Sequence, residues 1–293
     1  MNEPRTETRG AGGGGDDGPA GPASDGPCAD LTVAILSCNN ERTIEAALAG
    51  IADLAGEIVV VDSGSTDGTL EIVRHYGARV INHEWEGHVR QKQFALDQCT
   101  TPWAFSLDSD ESLEPALVDA VRAAVVRNDP KFDGYEMNRR TCVGGQWLKH
   151  AWQPEWRTRL VRTGGAATWA GYDPHDTLQV VSGRVGRLSG IMRHDAYENV
   201  ADLLRKQIGH GLRAAESYYQ MGRRGSVLML LLSPLGAVLK QLVLKGAWMD
   251  GWRGWVAAFS MGVGTTTKQL QLMELTHDAV RATPQGPPPT IPE

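Results

Sequence analysis

Residues 31–82 read LTVAILSCNNERTIEAALAGIADLAGEIVVVDSGSTDGTLEIVRHYGARVIN. Three short apolar runs, LTVAIL (31–36), EIVVVD (57–62) and ARVIN (78–82), alternate with two segments of helical period. That alternation predicts βαβ units and a parallel sheet. The first helical segment puts Ile44, Leu48, Ile51 and Leu54 at helical spacing and is expected to stop at Gly56. The second offers Ser65, Thr66 or Asp67 as a cap, Leu70, Ile72, Val73 and Tyr76 as its apolar side, and Gly77 as its end. Further on, GHVRQKQFALDQC (87–99) reads as a helix, WAFSLD (103–108) as a fourth strand, and Pro115 opens a helix carrying Leu117, Val121 and Val125. The fold class is α/β, with a doubly wound, Rossmann-like first half.

Ligands of open parallel sheets sit beyond the carboxyl ends of the strands. Here those ends are polar: Ser37-Cys38-Asn39-Asn40-Glu41, Asp62-Ser63-Gly64-Ser65 and Asp108-Ser109-Asp110. The two carboxylates of the last group, two residues apart at a strand end, suit a hard divalent cation such as Mg²⁺ or Mn²⁺ shared with phosphate oxygens. An exposed acidic turn is the plain alternative. The second strand end has no G-x-G-x-x-G, so a nicotinamide-type pyrophosphate turn is not supported. Asp62 is placed like the acids that bind a nucleoside base or ribose.

The stretches ILSCNNERTIEAAL, IVVVDSGSTDGTLEIVRHYGARV, WEGHVRQKQFALDQCTTPWAFSLDSDE and WQPEWRTRLVR together resemble family 2 inverting glycosyltransferases of the GT-A fold, in the branch that adds sugars to the lipopolysaccharide inner core. The likeness covers roughly residues 31–275. It implies that Ser37, Asn39, Glu41, Asp62 and Ser63 line the nucleotide pocket, that Asp108 faces the ribose or the metal, and that Asp110 meets the metal. It also sets Lys92 near the donor, where the alternative is a solvated helix lysine. Relatives carry a His-Glu whose carboxylate is the base; this chain has Tyr172-Asp173-Pro174-His175-Asp176, so Asp176 is the matching base, one methylene shorter, with Asp173 its rival. On the acceptor or phosphate side the resemblance places Trp152, Arg159, Arg162 and His175. Arg159 and Arg162 lie three apart in an expected strand, so they do not share a face. Trp152 and Trp156 either stack on a sugar ring or fill the core.

The chain has 293 residues and a net charge of −6, and the charge divides unevenly. Residues 1–30 carry −4 and 31–138 carry −10, whereas 139–193 carry +6 and 201–275 carry +5. An acidic donor half thus precedes a basic second half. Four widely spaced cysteines form neither a zinc knuckle nor a disulfide framework, which fits a reducing compartment. Residues 1–30, rich in Gly, Pro and acids, are expected to be a disordered leader, and 277–293 a disordered tail. Between them we expect a GT-A domain over 31–193, with a nucleotide half 31–135 and an acceptor half 136–193, and then a helical, membrane-associated region over 194–276.

In that last region VADLLRKQIGHGLRAAESYY (200–219) spaces Leu204, Ile208 and Leu212 four apart among basic residues. SVLMLLLSPLGAVL (226–239) is an uncharged run of 14 residues, short of the ~20 that a spanning helix needs. Three tryptophans beside Lys245 and Arg253 then read as an interfacial element drawn to anionic lipid. No nucleic-acid motif accompanies the bases. The expected function is metal-dependent, inverting hexose transfer from a nucleotide-diphosphate sugar, UDP-linked, to a lipopolysaccharide-core or other lipid-linked glycan acceptor. The expected location is cytoplasmic, peripheral on the inner membrane. Transfer to polyprenyl phosphate or protein, and nucleotide-sugar binding without catalysis, are the alternatives.

Overall fold

The computed structural model describes residues 26–172, 175–181 and 183–282. The chain runs β1 (Cys28–Ser37), α1 (Ile44–Ala49), β2 (Ala55–Asp62), α2 (Thr69–His75), β3 (Arg79–Asn82), α3 (His88–Asp97), β4 (Trp103–Asp108), β5 (Glu111–Leu113) and α4 (Pro115–Arg127). It continues through β6 (Phe132–Val143), β7 (Gln146–Trp147), β8 (Trp156–Arg162), β9 (Ala167–Tyr172), β10 (His175–Val180) and β11 (Arg184–Tyr197). Last come α5 (Val200–Gln220), α6 (Val227–Leu239), a π-helical turn Lys240–Leu244, a 3₁₀ turn Ala247–Asp250 and α7 (Gly251–Ala282).

The main sheet has the order β3-β2-β1-β4-β8-β6-β11-β5, with β7 paired to β6. The four strands β3, β2, β1 and β4 are parallel, as expected. Beyond β4 the sheet becomes mixed: β8 is antiparallel to both β4 and β6, and β11 is parallel to β6. β9 and β10 form a separate antiparallel hairpin. This is a GT-A architecture, a Rossmann-like curled sheet followed by C-terminal helices.

Successive residues of a strand face opposite sides, and β1 shows it directly. Leu31, Val33 and Ile35 enter a core with α1, α2 and α4, whereas Ala34 enters a second core with α3 and the β9–β10 hairpin. Burial on both faces explains why the parallel strands read as unbroken apolar runs. A third cluster, including Val143, Leu148, Tyr197, Leu203 and Ala257, joins the sheet to α5 and α7.

Three local expectations are corrected. The first helix ends at Ala49, and Ile51 and Leu54 are buried in the turn that follows. Gly56 is not its cap: it lies in β2, where a Cβ would come 2.5 Å from the Cys28 carbonyl oxygen. The cap position of α2 is Gly68, although Asp67 Oδ1 does accept the Thr69 amide at 3.0 Å. On α5 the buried face is Leu203, Gln207, Gly211 and Ala214, while Ile208 and Leu212 stay exposed. Small residues win that face because α7 approaches closely, with the Gly264 carbonyl 2.5 Å from where a Gly211 Cβ would stand.

The expected boundaries at 30/31 and 193/194 fall inside β1 and β11. Helix α7 runs to Ala282, and the rest of the expected tail, like the leader before Gly26, lies outside the described residues. The 14-residue apolar run continues past Lys240, which keeps helical backbone angles, so that Val227–Leu244 forms 18 helical residues. By length and composition alone that helix is long and apolar enough to cross a membrane, the only such helix among the described residues.

Candidate active site

In-register pairing brings the strand ends together: Leu36 of β1 lies opposite Asp108 of β4, and Ser37 opposite Asp62 of β2. Beyond them opens a cleft of about 510 Å³, the size of a small-molecule site. Its lining includes Ser37, Lys92, Asp108, Asp110, Arg159 and Asp176 of the expected residues.

Asp108 is the meeting point. Its Oδ1 lies 3.0 Å from Lys92 Nζ, and its Oδ2 accepts a 2.6 Å hydrogen bond from Arg159 Nη2. The same lysine donates to Asp176 Oδ2 at 2.8 Å and stands 4.7 Å above the Trp169 ring. One ammonium from α3 therefore links the end of β4 to β10. Burial pushes the Asp108 carboxyl up, but Arg159 and Lys92 outweigh it and hold the group well below the usual carboxylate range. Asp176 follows the same logic: burial raises it, the Lys92 charge and hydrogen bond lower it further, and the net direction is down.

Beneath Asp108 lies an ion network that sequence reasoning missed. Glu111, fully buried, accepts from Arg159 Nη2 at 2.6 Å, from Arg139 Nη1 at 3.0 Å and, through Oε2, from the Asp108 amide at 3.1 Å. Arg139 in turn donates to Glu155 at 2.6 Å. Burial raises the Glu155 carboxyl, yet Arg139 and Arg157 bring it down to about 2. Arg159 is thus committed to two carboxylates, Asp108 in the cleft wall and Glu111 behind it. The adjacency of Glu111 to Asp110 was a signal within the sequence; Arg139, on a strand with no motif, gave none.

Asp110 is less enclosed. Its Oδ2 lies 3.5 Å from Nε2 of His194, a β11 residue whose Nδ1 is 3.3 Å from the Thr141 hydroxyl. Burial raises the Asp110 carboxyl, and His194 more than compensates. No group of three or more metal-type side chains occurs among the described residues. One carboxylate and one imidazole converging on a cleft nevertheless suit a cation that completes its shell with phosphate oxygens and water, as Mg²⁺ and Mn²⁺ do. The residues present fit such an ion, with Asp110 and His194 as the open pair and Asp108 already engaged by two cationic side chains.

Other expected residues lie differently. Asp62 is buried and accepts from the Gly64 and Ser65 amides and the Ser65 hydroxyl, at 2.9, 2.8 and 2.5 Å. Asn39, at φ 54°, accepts the Thr66 amide, Glu41 accepts the Gly68 amide, and Ser63 accepts from Gln91. Asn39 and Glu41 fasten the β1 loop to the β2 loop, Ser63 fastens the β2 loop to α3, Asp62 braces its own turn, and none of the four lines the cleft. Arg162 is a correction: on the opposite face of β8 from Arg159, it lies 4.3 Å over the Trp103 ring and donates to the Phe132 carbonyl and Asn128. Trp152 is another, since it packs on Tyr197 in the third cluster, and Trp156 lines the cleft instead. The side chain of His175, and Asp173 altogether, lie outside the described residues.

Comparison with known proteins finds glycosyltransferases. The chain is 28% identical over 237 residues to the lipopolysaccharide core biosynthesis glycosyltransferase LpsC of Rhizobium meliloti, covering 78% of this chain and 87% of that protein. It is 24% identical over 254 residues to an uncharacterized glycosyltransferase of Rickettsia typhi, covering 84% and 87%. Among solved structures, glucosyl-3-phosphoglycerate synthase from Mycobacterium tuberculosis, in complex with Mn²⁺, UDP and glucosyl-3-phosphoglycerate, aligns with a TM-score of 0.33 at 24% identity, over 38% of this chain and 44% of that one. Staphylococcus aureus TarS 1-349 aligns with a TM-score of 0.43 at 13% identity, over 87% and 92%. The family model for glycosyl transferase family 2 matches residues 32–178, from β1 through the Asp176 strand, so the chain belongs to that family of glycosyltransferases.

Proposed function

We propose that the chain transfers a hexose, with inversion, from a nucleotide-diphosphate sugar, UDP-linked, to a lipopolysaccharide-core or other lipid-linked glycan acceptor. The observation that carries this reading is the convergence of Asp176, Lys92 and Asp108 in one cleft beside the open Asp110–His194 pair. The name of the Rhizobium meliloti relative supports the acceptor class.

In the proposed step Asp176 takes the proton of the attacking acceptor hydroxyl. The new bond forms between that oxygen and the anomeric carbon, while the bond to the diphosphate breaks on the opposite face and its electron pair leaves with the phosphate. No covalent enzyme intermediate is needed. Lys92 keeps Asp176 ionised and aimed, and the Glu111–Arg159 pair fixes Asp108. A divalent cation, Mg²⁺ or Mn²⁺, held by Asp110 and His194, would supply charge neutralisation of the departing diphosphate. Trp156 and Trp169 give the cleft apolar walls against which a sugar ring can lie.

We place the protein at the cytoplasmic face of the inner membrane, peripherally bound, because the acceptor is lipid-linked and residues 201–275 carry +5. The test is a panel of nucleotide sugars with Mn²⁺ and lipopolysaccharide-core acceptor, followed by nucleoside diphosphate release and the anomeric configuration of the product. Acceptor-dependent release with inversion is expected. Donor binding with no turnover would favour nucleotide-sugar binding without catalysis.

A further inference from the structure

We propose that α6, the turns that follow it and the start of α7 form a monotopic seat, which lies in the plane of an anionic bilayer surface rather than crossing it. This deepens the peripheral placement above and rests on it only for the choice of membrane. Helix α6 has two sides. Leu230, Pro234, Ala237 and Val238 are half-buried along α7, where Gly262 leaves room: a Cβ there would meet Val238 Cγ2 at 2.8 Å. Opposite, Leu228, Leu231, Leu232, Leu235 and Leu239 form an exposed stripe at helical spacing. At the C-terminal end Val243, Leu244, Trp248, Met249 and Trp252 extend the exposed apolar surface.

Charge says what covers it. Between Glu216 and Glu274 the one acid is Asp250, and it is buried, accepting the Lys149, His150 and Ala151 amides. The same stretch carries Arg223, Arg224, Lys240, Lys245, Arg253 and Lys268. Arg223 and Arg224 precede the stripe and Lys240 and Lys245 follow it, while Arg253 is tied to Gln146 and the Gly144 carbonyl and Lys268 stands over the Tyr218 ring of α5. An apolar stripe with bases at both ends and exposed tryptophans complements anionic headgroups over an acyl layer. A second copy of the chain would have to bring the same positive charge against itself.

The eighteen helical residues Val227–Leu244, ~27 Å long, approach the ~30 Å hydrocarbon thickness, so length alone permits crossing. The packing does not. One end is tied to the far part of α7 by the Gly225 amide on Thr276 Oγ1 at 3.2 Å, and the other to the sheet domain by Gln241 Oε1, which accepts the Trp152 amide at 3.1 Å. Helix α7 lies along α6, and α5 lies along α7, with Gly211 and Gly264 in mutual close approach to their partner helices. A spanning α6 would carry Lys268, Glu216 and Arg213 to bilayer depth, and Arg213 lines the catalytic cleft. Charged side chains at mid-bilayer are strongly disfavoured. Lying flat, α6 submerges its leucines and leaves the rest of α7, α5 and the cleft in water.

The experiment is flotation of the full chain with phosphatidylglycerol/phosphatidylethanolamine vesicles, compared with phosphatidylcholine alone, at low and high salt. The expected result is preferential, salt-weakened binding to the anionic vesicles, reduced at least tenfold in a Leu231→Glu/Leu235→Glu variant that keeps the circular dichroism and unfolding temperature of the unaltered protein. Orientation is read with Met221→Cys and Lys245→Cys, each in a Cys38→Ser background, treated with an impermeant maleimide outside sealed vesicles. Labelling of both positions from outside is expected. Protection of one until the vesicles are lysed would establish crossing and overturn the proposal, as would unchanged flotation of the double variant or a lipid-free dimer that this variant dissolves. Vesicle binding is measured without donor, so failure of the catalytic reading would leave it untouched.

Discussion

Lys92 Nζ bridges Asp176 Oδ2 at 2.8 Å and Asp108 Oδ1 at 3.0 Å, so that one buried ammonium ties the proposed base to the end of the central strand pair. Lys92→Met removes the charge and keeps much of the stem. Loss of an electrostatic partner at a reacting centre typically costs 10²–10³-fold, and kcat is expected to fall by about 10²-fold. The Asp176 carboxyl, no longer held down, then protonates at higher pH, and the acid limb of the kcat profile moves upward. An acid limb that stays in place would separate Lys92 from Asp176.

Asp110 and His194 are the pair expected to hold a divalent ion. Asp110→Ala and His194→Ala should each weaken Mn²⁺-dependent UDP binding, read by calorimetry, by about 10–100-fold or more, while binding without Mn²⁺ changes little. Equal affinity with and without Mn²⁺ in the unaltered protein would remove the ion from the site.

Glu111 satisfies Arg139, Arg159 and the Asp108 amide at zero exposure. Glu111→Gln keeps the shape and deletes the charge, leaving two buried guanidinium groups short of a partner. Breaking buried pairs costs about 3–5 kcal/mol. A loss of that order in urea unfolding is expected, together with reduced turnover even at temperatures where the variant remains folded.

Much of this was legible in the sequence, for physical reasons. β1, β2 and β4 are buried on both sides and so are written as apolar runs, and a strand that ends in a buried sheet must turn polar where it meets water, which marks Ser37 and Asp108. The mixed half was legible only in part, at Arg159 and Asp176. β8 and β11 alternate Arg, His and apolar residues with no periodic signature, and their register alone brings Arg159 and His194 to the cleft. Nor did the sequence show that Asp62, the strand-end acid expected to hold a nucleoside, also accepts three hydrogen bonds from its own turn. On α5, periodicity marked the bulky stripe, whereas close approach by α7 selected the small one.

Acid should destabilise the fold through Glu155. Glu155 falls from an ordinary value of 4.5 to about 2 in the folded chain. A depressed carboxyl contributes stability that is fully present above its unfolded value and is lost as pH falls through the folded one. Unfolding midpoints in urea are therefore expected to drop between about pH 4.5 and pH 2, and Glu155→Gln should flatten that part of the curve while lowering stability at pH 7.

The most direct measurement is acceptor-dependent nucleoside diphosphate release by Asp176→Asn beside the unaltered protein, with donor affinity recorded for both. The expected result is a kcat lowered by about 10²–10⁴-fold with donor dissociation constants within a few fold of each other. Full turnover by Asp176→Asn would contradict the assignment of Asp176 as the base and move the chemistry to another group.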